Sequence, residues 1–238
     1  MIGTVGLDPE QRDLALKSRD AWWTVLVVDP VALRVLPILV RSPSVTPLRI
    51  TGVAAALGTA SGALFFTGHL ILGAVLFELR FFVDCLDGKL ARIRGQASPR
   101  GAFADLAADV VLVSGAMAGL GWTLVRDRGE PLWLPGATVF AALVLFWLIV
   151  YDLDHPAPGR AGVPALRPPT GLNAWLADRR LLQTPRTIEV ETVLLFLAPL
   201  TGSTRVLVVA FALALIYYTL AAVRLFLVIY RRLPDSAS

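Results

Sequence analysis

Four aspartates fall within one short stretch of this chain, DCLDGKLARIRGQASPRGAFADLAAD, residues 84–109. Asp84 and Asp87 are spaced i, i+3, and Asp105 and Asp109 are spaced i, i+4. On helices each pair lies on one face. Gly95 and Pro99 between the pairs mark a short turn. The pattern predicts two antiparallel neighbouring helices whose four carboxylates converge at one end. Four unpaired carboxylates repel one another and are costly to desolvate, so the site calls for positive charge. Hard divalent cations suit an all-oxygen donor set, with Mg²⁺ or Mn²⁺ fitting best, and two such ions balance four aspartates. Ions held there polarise a diphosphate and stabilise attacking and leaving oxygens. The bland alternative is a set of interhelical salt bridges among Asp84, Asp87, Arg92, Asp105 and Asp109. One arginine and Lys89 do not neutralise four aspartates, which weighs against it. Cys85 and His155 are isolated, so a zinc cluster is not expected, and a single cysteine forms no internal disulfide. Gly88 and Ala91 leave room beside the carboxylates, Gly101 opens the following helix, and Arg92 lies one turn beyond Gly88, within reach of a phosphate.

The elements that must position these groups are set by composition. Of 238 residues, 56% are hydrophobic and 17% charged, where a soluble domain is charged at about a quarter of its positions. With a mean hydropathy of +0.68, the natural solvent of this chain is lipid. Six apolar runs of roughly spanning length lie at about 48–68, 70–91, 101–124, 132–152, 187–202 and 204–230, the fifth being short and beginning with Glu189 and Glu191. Residues 22–40 are apolar but interrupted by Asp29-Pro30, Arg34 and Pro37. They read as an interfacial amphipathic helix, with Trp22 and Trp23 at the headgroup level. The expected fold is therefore an all-α integral membrane protein: six transmembrane helices behind an N-terminal interfacial helix. The expected division is 1–43 for the N-terminal segment, 44–232 for the membrane domain and 233–238 for a frayed tail.

The first 20 residues are polar and mixed in charge rather than a secretory leader, so the first span is expected to act as its own insertion signal. Residues 153–186 are proline-rich loop, within which LNAWLADRRLL (172–182) suits a short surface helix. The net charge of +4 is unevenly spread. Lys89, Arg92, Arg94, Arg100, Arg160, Arg167, Arg179, Arg180, Arg186, Arg231 and Arg232 fall on one side of the predicted topology, and Arg126, Arg128 and Arg205 on the other. The positive-inside rule then places both termini and the aspartates on the cytoplasmic side of the cell membrane. With the spans assigned, no basic soluble domain remains for nucleic acid, and the excess charge suits anionic membrane lipids. Glu78 and Arg80 in the second span and Arg224 in the sixth are expected to face the bundle or to snorkel.

The stretch 84–109 resembles the signature of the CDP-alcohol phosphotransferase family, D-x2-D-G-x2-A-R-x8-G-x3-D-x3-D. It matches at Asp84, Asp87, Gly88, Ala91, Arg92, Gly101, Asp105 and Asp109 without departure. The resemblance implies an enzyme that transfers a phosphoalcohol group from a CDP-alcohol, releases CMP and works as a homodimer. It implies that Asp84 and Asp105 bridge two metal ions, that Asp87 completes the first site and Asp109 the second, and that Asp109 is the base for the acceptor hydroxyl. Gly88, Ala91, Arg92 and Gly101 would line the CDP pocket, and Ser98 matches a small polar nucleotide contact in relatives. The segment TPLRIT (46–51) resembles a further nucleotide-binding segment, with Thr51 in place and Leu48 where asparagine is frequent. Read by itself, it is a proline-initiated helix start.

For relatives of this size the donor implied is CDP-diacylglycerol and the acceptor a small polar alcohol, such as glycerol phosphate or inositol phosphate. A phosphorylated acceptor needs cations. Arg186, just before the fifth span, is the candidate, with Glu189 and Glu191 as partners for acceptor hydroxyls or for Arg186. The other loop arginines are accounted for by topology alone. The motif equally admits transfer of a CDP-linked headgroup to diacylglycerol. A divalent-cation transporter would place a set of acidic groups at the membrane midplane or far side, whereas these aspartates cluster at one membrane edge and no such set is seen elsewhere. A catalytically silent structural role sits poorly with an intact motif.

Overall fold

Two of the long apolar helices each start where a capping hydroxyl is followed by a proline, and each ends at a polar or glycine turn. In α3 (Pro47–Phe66), Thr46 accepts a hydrogen bond from the Arg49 N–H at 3.3 Å and Pro47 occupies the first turn. α3 gives way through Thr67 and Gly68 (φ 86°) to α4 (Leu70–Ile93). In α5 (Pro99–Arg128), Ser98 caps the start, accepting from the Gly101 N–H at 3.1 Å, and Gly129 (φ 68°) ends it. α6 spans Trp133–Asp154 and α10 spans Thr204–Tyr230.

Shorter pieces complete the fold: α1 (Pro9–Ala15), a π turn (Thr24–Val28) leading into α2 (Asp29–Arg41), and α7 (Leu172–Asp178). α8 (Thr187–Glu191) is followed by a second π turn (Thr192–Leu197) and α9 (Ala198–Leu200). The structure is a computed structural model and describes residues 6–154 and 171–231. His155, Arg160, Arg167 and the tail 233–238 lie outside the described residues.

The described chain is helical, with one isolated backbone bridge between Asp20 and Leu181. Four of its helices are long and apolar enough to cross a membrane: α3, α5, α6 and α10. α4 is long enough at 24 residues but carries Glu78, Arg80, Asp84, Asp87, Lys89 and Arg92. The fifth predicted run folds as three consecutive pieces, Thr187 to Leu200, a rise of about 21 Å. Both π turns run into prolines, Pro30 and Pro199. The wider turn opens the hydrogen-bond ladder where a proline lacks its N–H and would press on the preceding turn.

The predicted α4–α5 neighbour pair takes a different form. α3 packs on both helices, and a cavity separates the facing surfaces of α4 and α5. Small residues bring α3 this close. A Cβ at Gly119 would meet the Gly62 carbonyl oxygen at 2.7 Å, and one at Gly73 would meet the Phe65 ring at 2.8 Å. Polar atoms in these contacts are satisfied: Ser61 donates to the Gly73 carbonyl at 2.8 Å, and Thr123 donates to the Phe65 carbonyl. α6 and α10 pair across the other side of the cavity.

The N-terminal segment is bound into the bundle. α2 buries Ala32, Leu36 and Pro37 while exposing Val31, Arg34 and Ile38. The two tryptophans expected at the headgroup level turn their indole N–H groups inward. Trp22 donates to the Leu182 carbonyl at 2.7 Å and Trp23 to Glu78 at 2.8 Å. A half-buried indole N–H without a partner would be costly, and both find one in the protein. Asp29, which interrupts the apolar run, is buried and faces Lys89 at 2.8 Å and Arg180 at 2.9 Å. Arg180 follows α7 in the left-handed region (φ 62°) and joins the N-terminal segment through the Asp20–Leu181 bridge.

Candidate active site

The C-terminal end of α4 and the N-terminal end of α5 meet at their acidic faces. One carboxylate oxygen from each of Asp84, Asp87 and Asp105 lies within 4.8 Å of the others. Such a convergence of hard oxygen donors fits a divalent cation of the Mg²⁺ or Mn²⁺ type. α3 runs antiparallel to α4 and brings its first turn to the same place. The Thr51 hydroxyl lies 2.5 Å from an Asp87 oxygen and 3.1 Å from the Pro47 carbonyl. Leu48, one turn away, is 81% exposed and makes no part of the cluster.

Asp109, the fourth aspartate, is held elsewhere. It pairs with Arg80, a buried arginine one turn ahead of Asp84 on α4. Sequence reasoning set Arg80 aside as a bundle-facing charge. The i, i+4 spacing of Arg80 and Asp84 was the available signal that it shares the site's face.

A cavity of about 300 Å³ opens beside the cluster between α4, α5, α6, α8 and α10. Asp84, Asp105, Asp109, Gly88 and Arg92 line it, joined by Lys17 from the N-terminal segment. The Arg92 guanidinium donates to the Ala15 carbonyl at 2.8 Å and the Leu14 carbonyl at 3.3 Å. It is thereby held over Gly88, where an added Cβ would meet Arg92 Nη1 at 3.5 Å. Ala91 is partly buried beside it on α4, while Ser98 and Gly101 are exposed at the α5 cap.

The three residues considered for the acceptor separate. Glu191 lines the cavity with Tyr218 and Arg80. Both Glu189 oxygens are engaged by backbone, accepting from the Trp22 N–H at 2.6 Å and the Arg186 N–H at 2.6 Å. Arg186 is exposed at the α8 cap and does not line the cavity. Arg94, grouped with the topological charges, donates to the carbonyls of Val45, Leu39 and Ser42 at 2.5–3.0 Å and fastens the α2–α3 connection.

The sequence profile described as CDP-alcohol phosphatidyltransferase matches residues 44–230. The chain belongs to this family. Among curated CDP-alcohol phosphatidyltransferase relatives, the phosphatidylinositol phosphate synthase of Corynebacterium glutamicum is 32% identical over 127 residues, 53% of this chain and 55% of that protein. The bifunctional IPC transferase and DIPP synthase of Rubrobacter xylanophilus is 35% identical over 106 residues, 43% of this chain and 24% of that protein. The matches thus span about half or less of these relatives. Among solved structures, Mycobacterium tuberculosis phosphatidylinositol phosphate synthase with CDP-DAG bound superimposes with a TM-score of 0.65 at 18% identity, covering 89% of this chain and 99% of that one. The same synthase with manganese and citrate gives 0.62 at 19% identity, covering 87% and 92%. The fold is shared with these structures.

Proposed function

We propose that this protein transfers the phosphatidyl group of CDP-diacylglycerol to a small polar alcohol, with inositol phosphate as the first candidate acceptor, and releases CMP. The observation that carries the reading is the convergence of Asp84, Asp87 and Asp105 beside a cavity that Asp109 and Arg92 also line. Relatives named as phosphatidylinositol phosphate synthases, and a fold neighbour with CDP-DAG bound, support the donor and the acceptor class.

In this reading Asp84, Asp87 and Asp105 hold one divalent ion, and Asp84, Asp105 and Asp109 a second. Ions bound there neutralise the diphosphate and the charge that develops on it. Asp109 accepts the proton of the acceptor hydroxyl. The hydroxyl oxygen forms the new bond to the phosphorus that carries the diacylglycerol, and CMP leaves with the electron pair of the broken bond. Arg92, Gly88, Ala91, Thr51, Ser98 and Gly101 form the CDP side of the pocket. Glu191 faces the acceptor from the cavity. Arg186 and Glu189 act at a distance, by shaping the start of α8. The chain is read as a homodimer with six spans, with the N-terminal helix α2 at the membrane surface, and the site and termini in the cytoplasm. Positioning and electrostatics supply most of the rate.

The test is CMP release from purified protein given CDP-diacylglycerol, Mn²⁺ or Mg²⁺, and inositol 1-phosphate, glycerol 3-phosphate, inositol or serine in turn. CMP that appears only with inositol 1-phosphate, and not in Asp109→Asn, is the expected result. CMP with another acceptor reassigns the substrate. CMP only from CDP-choline or CDP-ethanolamine with diacylglycerol moves the protein to headgroup transfer. Metal flux into vesicles without CMP identifies a transporter.

Thr51→Val is expected to raise the Mn²⁺ concentration for half-maximal rate about fivefold to thirtyfold. It removes one hydrogen bond to a charged carboxylate, a loss on the order of 1–2 kcal/mol. A rate titrated against Mn²⁺ checks this; an unchanged midpoint disconnects Thr51 from the metal site.

A further inference from the structure

Arg80 is 1% exposed and is the largest of the fully buried side chains. An apolar bundle keeps an arginine at such a position only where carboxylates or backbone carbonyls meet it. Gly58 provides the space, since a Cβ there would stand 3.3 Å from Arg80 Cγ. The guanidinium shares the cavity wall with Asp84, Asp105, Asp109 and Glu191. It pairs directly with Asp109, and its charge acts on Asp84, Asp87, Asp105 and Glu191. Asp109 is thereby drawn out of the group formed by Asp84, Asp87 and Asp105.

We infer that Arg80 is a positioning residue that holds Asp109 away from the metal cluster, so that divalent ions load in sequence and the second ion must displace the guanidinium. The inference rests on the two-ion reading of this site. A guanidinium keeps its charge at any working pH. The second ion therefore enters against a fixed buried cation and binds more weakly than the first. Asp109 is released to act as base only when that ion arrives, which ties proton removal to a fully loaded site.

The test counts Mn²⁺ ions by the electron paramagnetic resonance of free Mn²⁺, titrated into full-length protein in nanodiscs. Wild type is expected to show a tighter and a weaker ion. Arg80→Met is expected to tighten the weaker one by roughly tenfold or more, the scale on which one close charge moves an ionisation. Arg80→Lys, which keeps the charge, is expected to retain the wild-type spread. A weaker ion unchanged or further weakened in Arg80→Met overturns the inference. No Mn²⁺ bound to any variant overturns the two-ion reading beneath it. Wild-type protein offers a check that does not depend on Arg80→Met folding. The Arg80 side-chain ¹⁵N resonance, identified by its loss in Arg80→Lys, is expected to shift with the second equivalent of Mg²⁺. A shift complete at the first equivalent, or none through the second, overturns the inference.

Discussion

Asp105→Asn is expected to lower CMP release by roughly three orders of magnitude or more, because a catalytic metal ion contributes several kcal/mol and each ~1.4 kcal/mol is tenfold in rate. Asp105 supplies one of the three converging oxygens and crosses from α5 to the two donors on α4. The amide keeps the size of the side chain and removes its charge, so the loss reports on ion binding rather than packing. Two readouts separate the causes. The rate is measured across a Mn²⁺ titration, and bound Mn²⁺ is counted directly. A rate within tenfold of wild type, with Mn²⁺ affinity unchanged, would sink the assignment of these aspartates as metal ligands. In wild type, chelation with EDTA is expected to abolish CMP release and added Mn²⁺ to restore it.

The largest expected effect on stability comes from Asp29, outside the motif. Its carboxylate is 3% exposed as a residue and answers two cations, Lys89 at 2.8 Å and Arg180 at 2.9 Å. Asp29→Ala leaves Lys89, itself buried, without its partner. Breaking a buried pair in this way costs on the order of 3–5 kcal/mol. Lys89→Met added to Asp29→Leu is expected to recover much of that loss, because no fully buried charge is left unpaired: the site can pack as hydrocarbon, and Arg180, whose side chain is 27% exposed, can turn to water. Unfolding in mixed micelles with rising denaturant measures both variants. Full stability in Asp29→Ala would show that water or other groups solvate Lys89. This clasp joins the N-terminal segment, the end of α4 and the turn after α7, and Lys89 follows Asp87 by only two residues. A loosened clasp is therefore expected to reach the metal cluster as well.

Much of the architecture was legible because each signal was local. The apolar runs at about 48–68, 101–124, 132–152 and 204–230 became α3, α5, α6 and α10, with α5 reaching beyond its predicted run at both ends, from Pro99 to Arg128. The aspartate spacing placed each pair on one helical face, and three of the four carboxylates do meet. Other features depended on partners far away in sequence. Trp22 and Trp23 looked like residues for a membrane surface, but a carbonyl at Leu182 and a carboxylate at Glu78 took their N–H groups. Glu189 looked available to a substrate, but the Trp22 and Arg186 N–H groups occupy it. Arg92 looked free to reach a phosphate and is steadied by carbonyls of Leu14 and Ala15.

By itself the sequence determined that the chain is helical and suited to lipid, where one acidic cluster forms, and which chemistry such a cluster suits. Those conclusions rest on periodicity, residue type and spacing, which act over a few helical turns. Only the tertiary structure decided that α3 stands against both α4 and α5, that a cavity opens between those two helices, and that Arg80 takes Asp109 out of the cluster. These depend on close approach at Gly58, Gly62 and Gly119 and on buried charges choosing the nearest opposite charge. No single helix carries that information, because a buried arginine has no partner until the neighbouring helix is in place.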